Sequence, residues 1–242
     1  LITGASGVIG RALLRRLWAE PAWAGVAFYL AGRDAQGLAG LVAEADALGL
    51  RALAWPLDLA ERTQVDALIE RLQSAQPLRG LALVAGINHD DPLPRLSEAA
   101  WQRVWDVNTG AHARLLRALD APGRLAAGSR GILVGSQVGL RGNAGQAAYA
   151  AAKGALLDLL PLGPQGLRLN LLLPPLVDSP LLANLSQAAR EQLYRVRLLQ
   201  DPDPAASCAR AGAFLLSDDA AYIHRQVLHA DSRVSVLGWD LG

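Results

Sequence analysis

Short apolar runs alternate along this chain with longer stretches in which apolar residues recur at helical spacing. Val26–Leu30, Arg51–Pro56, Gly80–Val84, Gly131–Val134, Leu167–Leu172 and Gln226–His229 predict strands, and Leu1–Ile2 reads as the second half of another. Between them, Arg11–Trp18, Gly37–Ala47, Arg62–Leu72, Ala99–Leu119 and Gly145–Leu160 carry apolar residues three and four apart, which predicts helices. Asp201–Ser217 reads as a further helix behind a proline-rich start. Strand and helix in turn imply a parallel sheet covered on both faces. Right-handed crossovers then give a doubly wound α/β fold with about seven, mainly parallel strands. No linker or fixed-period repeat interrupts the alternation, so residues 1–242 are expected to form a single domain.

Composition narrows the function classes. Hydrophobic residues make up 52% of the chain, enough for a large core, and a net charge of +1 gives no reason to expect nucleic acid or a membrane surface as partner. No apolar run reaches the length of a membrane span. A lone cysteine, Cys208, excludes an intrachain disulfide, which fits a cytoplasmic protein, and it reads as a packing residue. No metal site is expected, because His89, His112, His224 and His229 show no ligand spacing and read as solvated or packing residues. Trp101 and Trp105, four apart on a helix, read as core. With no methionine anywhere, the chain is expected to lack its original start. Among 23 basic residues Lys153 is the single lysine.

The segment Thr3-Gly4-Ala5-Ser6-Gly7-Val8-Ile9-Gly10 follows the first strand and opens the first helix. Its glycines permit a tight turn, close approach of backbone to a pyrophosphate, and close helix–strand packing, while the helix start offers free N–H groups and a favourable dipole. A strand–turn–helix of this kind reads as the dinucleotide site of a Rossmann fold, the alternative being a glycine-rich turn that holds no ligand. At the end of the second strand, where an NAD site places an acidic residue, Ala31 stands instead and Arg33 follows. An arginine there suits the 2′-phosphate of NADP(H), although Asp34 beside it could instead take a ribose hydroxyl. Asp58 is placed either to accept the adenine amino group or to cap a helix.

Tyr149 and Lys153 lie four apart on a predicted helix and share a face. An ammonium beside a phenol is expected to lower the phenol pKa and make an acid/base nearer working pH. Ser136, at the end of the preceding strand, would donate to a substrate carbonyl oxygen.

TGASGVIG, WDVNTGAHARLL, GSQVGLRGNAGQAAYAAAK and RLNLLLPPLVDSPLL, in that order, resemble the short-chain dehydrogenase/reductase family over nearly the whole chain. The resemblance implies a catalytic tetrad of Ser136, Tyr149, Lys153 and Asn108, with Lys153 also on the nicotinamide ribose and Asn108 holding a water in a proton relay. It implies an NADP(H) site built from Gly4, Ser6, Gly7, Ile9, Gly10, Arg33, Asp58, Leu59, Ala85, Gly86, Val177 and Ser179, with Tyr149 and Lys153. Gly86–Asp91 and Gly142–Gln146 are most similar to bacterial β-ketoacyl-acyl-carrier-protein reductases. That likeness implies NADPH-dependent reduction of a β-ketoacyl thioester, on acyl carrier protein or coenzyme A, by a homodimer or homotetramer. The alternatives are a secondary-alcohol dehydrogenase for a small or cyclic substrate, and a non-catalytic nucleotide-binding scaffold.

The chain also departs from the family pattern. The helix after Lys153 is expected to stop near Pro161, about five residues early, since proline disrupts helix interiors. Pro174-Pro175 replaces Pro-Gly, and His229-Ala230-Asp231-Ser232 replaces Val-Asp-Gly-Gly. A basic position associated with the carrier protein falls on Gln165, leaving Arg168, Arg141 or Arg130 to substitute.

Overall fold

The computed structural model describes residues 1–179 and 201–230, with the backbone of 235–236 and 239–240. Asp231, Ser232 and the 180–182 end of the last family motif lie outside the described residues.

Seven strands form one sheet: β1 (Ile2–Thr3), β2 (Ala27–Gly32), β3 (Arg51–Pro56), β4 (Leu78–Leu83), β5 (Leu125–Val134), β6 (Arg168–Leu173) and β7 (Val227–His229). Their order is β3-β2-β1-β4-β5-β6-β7, and every pairing is parallel. The expected doubly wound sheet is therefore the observed one. A separate antiparallel pair, β8 (Ser235–Val236) and β9 (Trp239–Asp240), was not legible in the apolar pattern.

The helices are α1 (Val8–Trp18), α2 (Ala35–Ala47), α3 (Arg62–Gln73), α4 (Glu98–Trp105), α5 (Ala111–Leu119), α6 (Val138–Arg141), α7 (Ala147–Leu159) and α8 (Pro204–Leu216). They divide between the sheet's two faces. On one, Leu13, Leu14, Leu38 and Leu41 pack with Cys208, Ala82, Ile132 and Leu172. On the other, Leu68, Leu115 and Leu156 pack with Leu81, Leu83, Leu133 and Leu171. Neighbouring strand residues thus point to opposite cores, which is why the strands read as unbroken apolar runs. Each fully buried leucine contributes about 1.5–3 kcal/mol. Cys208 belongs to this packing, and burial pushes its thiol up to about 12. Trp101 and Trp105 pack around Val104, Ala148 and Ala152.

One expected element is divided. The Ala99–Leu119 pattern folds as α4, a π-helical turn at Asp106–Gly110, and α5. The Ala111 N–H reaches back five residues to the Asp106 carbonyl. Asn108 supplies a physical reason: its Nδ2 donates to the Val104 carbonyl at 2.8 Å, the acceptor an α-helix would reserve for the Asn108 backbone. As expected, α7 ends before Pro161.

Candidate active site

The strand order reverses between β1 and β4, and a crevice opens there at the carboxyl ends of the strands. Gly4 turns the chain with φ +65°, and a methyl group on it would stand 2.8 Å from the Ala85 backbone. A methyl on Gly10 would collide with the Gly4 carbonyl. Glycine at both positions lets loop, helix and β4 close on one another. α1 starts with no side-chain cap and no acidic residue in its first turn. Its orphan N–H groups and dipole are therefore open to an anion.

A groove of about 260 Å³ follows this edge, lined by Gly4, Ser6, Gly7, Ile9, Gly10, Arg33, Asp58, Leu59, Ala85, Gly86, Val177 and Ser179. These are all the residues that the sequence assigned to the cofactor, apart from Tyr149 and Lys153. A larger cavity of about 550 Å³ lies at the opposite end of the sheet against Trp23 and Gly80 and contains none of them. The smaller groove is the candidate one, because the glycine turn and the helix start meet there and Gly86 on its lining lies beside Asn108 Oδ1 and Lys153 Nζ.

At the groove's far end Asp34, also on its lining, caps α2: its Oδ1 accepts the Gly37 N–H at 2.9 Å. Arg33 is exposed and forms no hydrogen bond or ion pair with other described residues. Asp58 does not cap α3, whose N-cap is Glu61. Its carboxylate accepts the Ala60 N–H at 3.0 Å and pairs with Arg103 at 2.7 Å. Burial pushes the Asp58 pKa up, but the Ala60 and Arg103 bonds, with the charges of Arg103 and Arg33, bring it below the ordinary value. A carboxylate offers about four acceptor sites, so capacity for an adenine amino group remains.

Ser136, Tyr149, Lys153 and Asn108 converge beyond the carboxyl end of β5, beside Gly86. Ser136 follows β5, and its Oγ accepts the Val138 N–H at 3.2 Å, leaving its own O–H to donate. Tyr149 and Lys153 share a face of α7, with Nζ 5.9 Å from the tyrosine ring centre. Lys153 is buried and donates to the Val134 carbonyl at 2.8 Å, and desolvation lowers its pKa to about 7. Asn108 is fully buried, with both Nδ2 hydrogens committed to Ile87 and Val104 carbonyls at 2.8 Å. A methyl on Gly86 would stand 2.8 Å from Asn108 Oδ1 and 3.2 Å from Lys153 Nζ, so both side chains aim over this glycine.

The expected lowering of the Tyr149 pKa is not what the structure gives. Burial raises it above its ordinary value, the hydrogen bond with Ser136 acts downward, and Asp90 acts upward. Lys153 does not reverse this, because its nitrogen is turned to Val134 and burial has already reduced its hold on a proton.

Several supporting residues escaped sequence reasoning. Thr109 Oγ1 donates to the Ala152 carbonyl at 2.6 Å and ties the π turn to α7 beside Lys153. Gly139 of α6 lies so close to α7 that a methyl would stand 2.7 Å from the Lys153 carbonyl carbon. Gln146 and Asn88 both donate to Asp90 Oδ1, at 2.8 and 2.7 Å, and close the rim above Tyr149. Gln137 and His229 Nδ1 meet at 2.9 Å across the substrate side. No short-range pattern signals these contacts, which join distant segments.

A model of the family described as short chain dehydrogenase matches residues 1–190. Nodulation protein G of a Rhizobium species is 31% identical over 245 residues, spanning 98% of this chain and 96% of the relative. The 3-oxoacyl-acyl-carrier-protein reductase FabG of Escherichia coli is 30% identical over 241 residues, spanning 96% and 94%. Among solved structures, a short chain dehydrogenase from Burkholderia cenocepacia in complex with NADP superposes with a TM-score of 0.84. It is 28% identical, over 96% of this chain and 95% of that one.

Proposed function

Since the chain belongs to the short-chain dehydrogenase family, we propose that it is an NADPH-dependent ketoreductase that converts a β-ketoacyl thioester to the corresponding secondary alcohol. The observation that carries this reading is the meeting of Ser136, Tyr149, Lys153 and Asn108 at one end of a glycine-cradled groove. The groove suits a dinucleotide: uncapped N–H groups for the pyrophosphate, Asp58 for the adenine, Arg33 for a 2′-phosphate, and Val177 and Ser179 at the nicotinamide end. When bound, the nicotinamide supplies the hydride.

The chain's own residues supply the rest. Ser136 donates a hydrogen bond to the ketone oxygen and draws it to the tyrosine. Tyr149, protonated at neutral pH as a phenol ordinarily is and with its pKa raised further by desolvation, passes its proton to that oxygen as negative charge develops. Lys153 lies alongside, its ammonium and neutral forms nearly balanced at neutral pH, and stabilises the phenolate by returning a proton. Asn108 fixes the inner end of this line through its two carbonyl contacts.

The thioester substrate is supported by the FabG relative and by the likeness at 86–91 and 142–146. A carrier-protein contact through Arg130 is disfavoured, because that side chain is buried against Asp218 at 2.8 Å. Arg168 pairs in register with Arg130, four residues before Val134 and so about 13 Å from the reacting end of the sheet. The deciding experiment is NADPH oxidation with an acetoacetyl thioester, run beside NADH. Turnover with NADPH and little with NADH is expected. Equal rates would remove the cofactor preference, and tight NADPH binding without turnover would remove the thioester ketone as substrate.

A further inference from the structure

An arginine that does not line the groove holds a residue that does. Arg103 lies in the last turn of α4, outside the lining, whereas Asp58 is on the lining beside Leu59 and Arg33. Arg103 Nη2 donates to Asp58 Oδ2 at 2.7 Å, joining segments 45 residues apart. The other carboxylate oxygen, Oδ1, accepts the Ala60 N–H at 3.0 Å, and the Asp58 N–H donates to Gln64 Oε1 of α3 at 2.8 Å. The terminal torsion of an aspartate is broad when nothing holds it. Here one donor on each oxygen fixes the plane of the carboxylate, and the backbone beneath it is tied to α3.

Stability alone gives this pair little to do. The Arg103 side chain is 44% exposed, and an ion pair so open to water contributes at most about 1 kcal/mol. Its place near the end of α4 suits the helix dipole, but any exposed cation would serve that purpose. The choice of partner is more informative. A carboxylate offers about four acceptor sites and Asp58 has used two, so what remains is aimed by the two bonds already made. The residue after Arg103 is Val104, whose carbonyl accepts Asn108 Nδ2. A single helix thus reaches the groove carboxylate by a side chain and Asn108 by its backbone.

We propose that Arg103 is a positioning residue for the cofactor's adenine, holding Asp58 Oδ2 so that the carboxylate is turned to accept the 6-amino group, without touching the cofactor itself. The consequence is selectivity for the base. An ionised carboxylate only accepts hydrogen bonds, so it favours an amino donor and disfavours a carbonyl oxygen in the same place. Hypoxanthine carries that carbonyl at the position of the adenine amino group, and exchanging one base for the other leaves the rest of the cofactor unaltered. Arg103 also offsets the charge of Asp58 before a cofactor rich in phosphate. That effect is common to both bases and cancels in the ratio of their affinities.

This inference rests on the reading of the groove as an NADPH site and is independent of the ketone substrate. Its test is the pair of dissociation constants for NADPH and for the hypoxanthine analogue of NADPH, measured by titration calorimetry on the whole chain. The wild type should prefer NADPH by roughly tenfold to a hundredfold, the range of a hydrogen bond to a charged group. Arg103→Met should lose most of that preference, chiefly by weakening NADPH. Arg103→Lys, which keeps a cation for Oδ2, should restore most of it. A merely structural arginine would weaken both cofactors alike, or lower Tm only, and leave the ratio at its wild-type value; that result overturns the proposal. A wild type indifferent to the base overturns it too. Where turnover is measured, Arg103→Met should raise KM for NADPH more than it lowers kcat, whereas a displaced α4 would act through Val104 on Asn108 and lower kcat first. A wild type that binds neither cofactor removes the reading of the groove and this role with it. Wild-type preference for NADPH that persists in Arg103→Met removes the role alone.

Discussion

Tyr149 and Lys153 are moved in opposite directions by one cause, since burial disfavours phenolate and ammonium alike. The result is a protonated tyrosine beside a lysine that changes charge near neutrality. Tyr149→Phe should accordingly lower kcat by roughly a hundred- to ten-thousandfold, the range of a positioned proton donor. NADPH affinity, read by quenching of tryptophan fluorescence, should barely change. If turnover survives, the proton comes from elsewhere. Arg33 makes a separate prediction because it is exposed on the groove without an ion pair among the described residues, whereas Asp34, its rival for the ribose, already caps α2 through Oδ1. Arg33→Ala should weaken NADPH binding by roughly tenfold to a hundredfold, as for a lost charged hydrogen bond, and leave NADH unchanged. Equal weakening of both would return the ribose to Asp34. Both residues were legible in the sequence because their chemistry follows from type and spacing. His112, read as solvated or packing, is fully buried on α5, but spacing gave no sign that its ring nitrogens would lie without hydrogen bonds among the described residues.

Elements were legible wherever one physical signal dominated. Arg51–Pro56 is observed with the expected bounds because its apolar run Ala52–Trp55 is bracketed by the exposed Arg51 and Pro56, and α7 stops where Pro161 requires. The π turn was not legible, since apolar spacing through Ala99–Leu119 is compatible with an unbroken helix and the deviation comes from one side chain taking the Val104 carbonyl. α6 was missed for its shortness, yet it fixes where Lys153 sits. A methyl on Gly139 would meet the α7 backbone, which cannot yield as a flexible side chain can. Gly139→Ala should therefore destabilise the protein by about 1–3 kcal/mol, the usual cost of overpacking. It should also lower kcat more than it raises KM, because α7 must shift at the lysine. Denaturant melts alongside kinetics would check this, and an unchanged midpoint would show that α6 yields instead.

Over the whole molecule, a core divided by the sheet leaves no cheap place for a charge, and the site buries two bases in it. The pH dependence of stability follows from their pKa directions. His112 is held at about 3 when folded and returns to about 6.5 when unfolded. Between those values the unfolded chain binds a proton that the folded one refuses, so stability falls as pH drops through this window. The difference amounts to at most about 5 kcal/mol, a large share of a typical domain's 5–15 kcal/mol. Lys153, at about 7 folded and 10.5 unfolded, adds the same sign in a higher window, stability rising from pH 7 until, above about pH 9, the Cys208 thiol held up at about 12 acts the other way. The protein should thus be more stable at pH 9 than at pH 7 and should unfold steeply below pH 6. His112→Leu should remove most of the acid loss, because leucine binds no proton in either state. Lys153→Met should flatten the slope between pH 7 and 10 while abolishing turnover. Chemical denaturation at a series of pH values measures both slopes directly. An acid limb in His112→Leu as steep as the wild type's would show that carboxylate pairs such as Asp58–Arg103, and not the buried imidazole, set the acid limit.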